Sequence, residues 1–246
     1  MAKVRPPVEK PIEYGNAGEF WVEYPSGLVD LTRASHLPSS ASDAATPPPL
    51  TQEFLEFPVD GQRTLRIDKK SSAIVIIDMQ KNWGLTEHEL KTIPPSLVRG
   101  FMKSGKGGFG ADLGRDWGRL LMRDQRNAEL YGPLQQEYMK NKDAGTDIWI
   151  HKNRMSAIWG YQTALDLYLK ENGITTLFFS GVNADQCVLG TIVDAYYRGY
   201  DCIVVEDTVA TTSPQGGLEN VIYNSGNSYG FVTDSTRLVN AISNSA

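Results

Sequence analysis

Short apolar runs that end on or beside a polar residue, separated by stretches with helical spacing, constrain this chain more than any other feature. Ala73-Ile74-Val75-Ile76-Ile77-Asp78 is continuously apolar up to its closing carboxylate, the pattern of a strand buried on both faces. A second, shorter run, Asp147-Ile148-Trp149-Ile150, leads into His151 and Lys152. Residues 163–171 carry Ala164, Leu165, Leu167 and Tyr168 at helical spacing, with Asn172-Gly173 as the stop signal. Residues 176–180 read as a third strand, 187–198 as a helix ended by Gly199, and 201–206 as a fourth strand. A helix over 218–224 and a last strand over 229–233 complete the series. Strands alternating with helices specify an α/β fold with a parallel, doubly wound sheet. Such sheets bind ligands beyond the carboxyl ends of their strands. Asp78, Lys152 and Cys187 all fall at or just past such ends.

Phe178-Phe179-Ser180-Gly181-Val182-Asn183-Ala184-Asp185-Gln186-Cys187-Val188 reads as strand, tight turn and helix start, with a cysteine in the first helical turn. A thiol there gains from the partial positive charge of the helix end, which favours the reactive thiolate. The unpaired N–H groups of the same turn suit an oxyanion. Cys187 is therefore the candidate nucleophile, although a lone cysteine is commonly a packing residue. Cys202, between strand residues in an apolar run, reads as core. Asp78 reads either as a cap of the next helix or as a polar group carried to the ligand end of the sheet. Lys152 reads either as a solvated lysine or as a site residue carried in by the strand before it. His151 is expected to be structural. Trp159, Trp83 and Tyr161 are the candidate substrate contacts.

Composition limits the partners. Lys and Arg total 24 against 29 Asp and Glu, a formal charge of −5, which argues against a nucleic-acid binder. No apolar run approaches the roughly 20 residues a membrane helix needs, and the polar opening residues do not resemble a signal peptide. The cytoplasm is the expected compartment. Two cysteines make no disulfide framework, and three histidines without a CxxC pair make a structural zinc site unexpected. Residues 1–70 read as an arm with one short strand (Glu19-Phe20-Trp21-Val22-Glu23-Tyr24) and a Pro/Ser/Ala-rich loop, wrapping either the core or a partner subunit; residues 71–246 read as the core domain. The glycine-rich stretch 105–114 contains Lys106 but no GxxxxGK[ST], so a phosphate loop is not expected.

Three separated motifs carry a family resemblance: Ile76-Ile77-Asp78-Met79-Gln80, His151-Lys152-Asn153-Arg154-Met155-Ser156-Ala157, and Ser180 through Val188. Val205-Glu206-Asp207-Thr208-Val209-Ala210 adds a fourth. Together they resemble the isochorismatase-like cysteine hydrolases. That resemblance implies a three-layer fold with a mostly parallel central sheet flanked by helices. It also implies Asp78 as general base and acid, and Lys152 as the cation that keeps Asp78 ionised and favours the Cys187 thiolate. A cis peptide between Val182 and Asn183 would aim the Asn183 and Cys187 N–H groups at the oxyanion. The implied chemistry is hydrolysis of a small amide or ureido-type substrate through a thioester, without a cofactor, by a homodimer or homotetramer. Isochorismatase activity on a vinyl ether, or a catalytically inactive binding subunit, are the competing readings. Two departures stand out. Gln80 runs almost directly into Trp83-Gly84-Leu85, so one helix–strand unit after the first core strand reads as missing. The His-x-His pattern of metal-binding nicotinamidase relatives is absent and His88 stands alone, so no metal is expected.

Overall fold

In the computed structural model the described residues are 4–38, 46–81, 110, 112 and 118–245. The chain divides into two units, Met1–Ile77 with Lys152–Ala246, and Asp78–His151.

The first unit contains two sheets. The expected parallel sheet is formed by β6 (Ser72–Ile77), β7 (Thr176–Val182), β8 (Asp201–Ala210) and β9 (Phe231–Thr233), in that order and parallel throughout. Helices alternate with the strands. Within this unit, α2 (Ala164–Glu171) precedes β7, α3 (Leu189–Tyr197) joins β7 to β8, α4 (Gly217–Asn224) joins β8 to β9, and α5 (Ser235–Ser245) follows β9. The Thr163 side chain caps α2 by accepting the Asp166 N–H at 3.2 Å. Among the described residues β6 pairs with β7 alone and so stands at the sheet edge. The shortening expected after Gln80 falls where residues 82–109 lie outside the described residues.

Residues 12–68 hold more structure than one short strand. They form β1 (Ile12–Gly15), β2 (Phe20–Glu23), β3 (Leu28–Asp30), β4 (Phe54–Val59) and β5 (Arg63–Asp68), arranged β1-β2-β3-β5-β4. All pairs are antiparallel except β3 with β5. One core joins the two sheets: Val29, Leu31, Leu55, Phe57, Val59, Leu65 and Ile67 pack with Phe178, Ile203 and Val205. The Phe57 and Phe178 rings meet at 5.6 Å. Leu177, Phe179, Cys202 and Val204 occupy the alternate positions of β7 and β8 and are also buried, which is why these strands read as unbroken apolar runs. A bidentate ion pair between Arg33 and Asp201, at 2.6 and 3.0 Å, ties the chain after β3 to the start of β8, and Thr176 donates to the same carboxylate at 3.1 Å.

The second unit contains α1 (Pro133–Asn141) and a short antiparallel bridge of Gln80 with Leu130. The expected strand at 147–150 does not form, and Ile148 is 46% exposed. Three apolar residues after the turn at Gly145 find no ladder partner among the described residues, and an unpaired strand leaves its backbone polar groups to water. Trp149 instead stands edge-on to Tyr138 and lies beside His151, each with centroids 5.5 Å apart.

At the end of β7, Gly181 has φ +108°, and a Cβ there would lie 2.1 Å from the Ile77 carbonyl oxygen. Only glycine lets β6 and β7 approach this closely. Gly181→Ala is expected to lower stability by about 3 kcal/mol, because left-handed strain and a backbone collision act together. Urea denaturation checks this; a loss below about 1 kcal/mol would mean that β6 yields easily.

Candidate active site

Beyond Gly181 the chain turns through Val182 and Asn183, whose peptide bond is cis, as the resemblance implied. One π-helical turn, Ala184–Val188, then precedes α3, so Cys187 sits ahead of the α-helix and not inside its first turn. The Asn183 carbonyl accepts both the Gln186 and Val188 N–H groups, at 3.1 and 3.2 Å. Cys187 is 8% exposed.

Lys152 reaches this turn from an irregular segment, not from a strand. Its Nζ donates to the Arg154 and Met155 carbonyls at 3.0 and 3.2 Å and lies 3.5 Å from Cys187 Sγ. The two carbonyls fix the ammonium in place, and a cation at that range favours a charged sulfur. The segment is anchored by Ile158, which is fully buried, and by Ser156, which packs against Gly190 of α3.

A second segment holds the turn from the far end of β8. Thr211 Oγ1 donates to Asp185 Oδ1 at 2.5 Å, the Thr212 N–H donates to Asn183 Oδ1 at 3.1 Å, and Gln186 Nε2 donates to Ser213 Oγ at 3.4 Å. Burial opposes ionisation of Asp185, but hydrogen bonds from Ser213 and Thr211 outweigh it and hold the carboxyl below the usual aspartate range. None of these contacts is visible in sequence, because Thr211, Thr212 and Ser213 lie some 25 residues downstream with no motif of their own.

The structure thus gathers Lys152, Val182, Asn183 and Cys187 on the first unit. Asp78 is the residue directly after β6 and the first of the second unit; its φ is +55°. Trp159 is 38% exposed, with Nε1 donating to Asn153 Oδ1 at 3.0 Å and the Arg154 guanidinium 4.7 Å above its ring. Tyr161 is 94% exposed. Trp83 and His88 lie outside the described residues. Cys202 is core, as expected: its Sγ faces the Tyr200 and Ile192 carbonyls, and burial pushes its thiol far up.

Because folding lowers the Asp185 pKa, the stabilisation it brings is complete above the unfolded value and disappears as pH falls through the folded one. Wild type is expected to exceed Asp185→Asn in stability by about 0.5–1 kcal/mol at neutral pH, after allowing for solvent screening, with the gap closing below about pH 3. Denaturant titrations at the two pH values test this; an unchanging gap would refute it.

The Isochorismatase domain model matches residues 103–236, a range that includes Lys152, the cis-peptide turn and Cys187 and begins after Asp78. The isochorismatase family protein PncA of Bacillus subtilis strain 168 is 39% identical over 88 residues, covering 36% of this chain and 47% of that protein. Ureidoacrylate amidohydrolase RutB of Yersinia enterocolitica is 32% identical over 129 residues, covering 52% of each. The chain therefore spans about half the length of the curated relatives it matches. Among solved structures, nicotinamidase PncA from Bacillus subtilis superposes with a TM-score of 0.51 at 26% identity, over 67% of this chain and all of that one. With the family model matched over more than half of its residues, the chain belongs to the isochorismatase family.

Proposed function

We propose that this protein is a metal-independent cysteine hydrolase that cleaves a C–N bond in a small amide or ureido-type substrate. The observation that carries the reading is the Lys152 ammonium, held by two backbone carbonyls 3.5 Å from the sulfur of Cys187. A thiol in a strand-to-helix turn with a fixed cation beside it has the setting of an activated nucleophile. Similarity to an amidohydrolase and a nicotinamidase supports the C–N specificity.

In this mechanism Asp78 takes the thiol proton, and the sulfur attacks the substrate carbonyl carbon. The Asn183 and Cys187 N–H groups receive the oxyanion. Collapse breaks the C–N bond as Asp78 returns the proton to the leaving amine, which leaves a thioester on Cys187. Water, deprotonated by Asp78, attacks that thioester; the acid departs and the proton goes back to the sulfur. Lys152 keeps Asp78 and the sulfur charged when the cycle requires it. The reading is metal-independent because the sequence holds no His-x-His pair. Trp159, Trp83 and Tyr161 are proposed to contact substrate, and the working form to be a homodimer or homotetramer.

Limiting iodoacetamide near neutral pH is expected to label Cys187 at least about tenfold faster than Cys202, whose buried thiol resists ionisation. Peptide mass spectrometry reads the ratio, and equal labelling would sink the activated thiolate. Cys187→Ala is expected to abolish turnover of amide and ureido substrates. Retained hydrolysis of a vinyl ether by that variant would replace this reading with isochorismatase chemistry.

A further inference from the structure

Thr191 lies on α3 one turn after Cys187, and it is fully buried. Its hydroxyl donates to the Cys187 carbonyl at 2.7 Å and accepts the Ala157 N–H at 3.1 Å. A threonine in a helix often returns its hydroxyl to the carbonyl four residues back, so the first bond alone is unremarkable. The second bond is different. It reaches 34 residues back in the chain, into the irregular segment that carries Lys152. That segment has no helix or strand to satisfy its backbone, so its N–H groups depend on partners elsewhere.

Traced from atom to atom, the contacts close a ring. The Cys187 carbonyl leads to Thr191 Oγ1, and from there to the Ala157 N–H. Two residues upstream of Ala157, the Met155 carbonyl accepts from Lys152 Nζ, which lies beside Cys187 Sγ. The main chain and the side chain of one cysteine are thereby joined through the lysine segment. Packing of Ser156 against Gly190 runs alongside the ring and brings the same two pieces of chain together. We propose that Thr191 is a positioning residue: its hydroxyl sets where the Lys152 ammonium stands relative to the Cys187 sulfur. This role rests on reading Cys187 as the nucleophile.

Thr191→Val keeps the shape and the β-branch but neither accepts nor donates; Thr191→Ser keeps the hydroxyl. The second-order rate of iodoacetamide alkylation of Cys187 in the full chain is the readout. Thr191→Val is expected to slow it roughly fivefold to tenfold, and Thr191→Ser to stay within about twofold of wild type. A general packing role would not predict the next result. In a Lys152→Met background, adding Thr191→Val is expected to change the rate by less than about twofold, because the group it positions is gone. If Thr191→Val fails to fold, Thr191→Ala carries the same expectations in both backgrounds. Equal rates for the Val and Ser variants, or an undiminished effect in the Lys152→Met background, would overturn the positioning role while leaving the nucleophile intact. Wild-type Cys187 reacting no faster than Cys202 would remove the nucleophile reading, and the role of Thr191 with it.

Discussion

A carbonyl oxygen stands where the side chain of Gly181 would begin, and much of the first unit follows from that approach. Ile77 pairs with Gly181 at the last rung of the β6–β7 ladder. Any larger residue would drive the strands apart or shift their register. The close rung lies one residue before the end of β7, so the chain leaves the sheet at Val182 and turns at Asn183. The same strand end delivers the chain to Asp78. Neighbouring β8 adapts to this geometry: its pairing with β7 shifts between Phe179 and Gly181, and Ser180 Oγ fills the irregularity by donating to the Thr208 carbonyl at 3.0 Å.

The turn is then held from two directions by side chains that are individually ordinary. Lys152 and Thr191 bind it to the segment before α2, while Thr211, Thr212 and Ser213 bind it to the segment after β8. Each bond is worth only about 1 kcal/mol net, but together they remove the freedom a seven-residue turn would otherwise keep.

The parts of this fold that were legible in sequence share a cause. β7, β8 and the helices around them bury both faces or one clear stripe, and Gly173 and Gly199 mark their ends. Val182, Asn183 and Cys187 follow from the end of β7, whereas Lys152 was joined to them only through the family motifs, since the strand expected to carry it does not form. What escaped depended on partners distant in sequence. Residues 147–150 have a strand's composition, but composition does not supply a ladder partner, and among the described residues they have none. β4 and β5 were hidden by charge: Glu56 and Arg66 face each other across the ladder, and Arg66 is 4% exposed because Glu56, Asp30 and the Pro48 carbonyl surround it. A lone arginine in a strand reads as solvent-facing until its partners are known. Thr191 gave no signal, since nothing in its neighbourhood distinguishes it from any helical threonine.

The shared core of the two sheets bears on how such a chain is inherited. Phe178, Ile203 and Val205 belong to the half that carries the family motifs, yet Phe57, Leu65 and their neighbours form the surface that keeps those residues from water. Residue 70 therefore divides two styles of local sequence but not two folding units. Recombination that exchanged the N-terminal stretch for an unrelated one would uncover the apolar face formed by Phe178, Ile203 and Val205. A larger side chain in β4 or β5 needs a smaller one in β7 or β8 if this shared core is to stay packed.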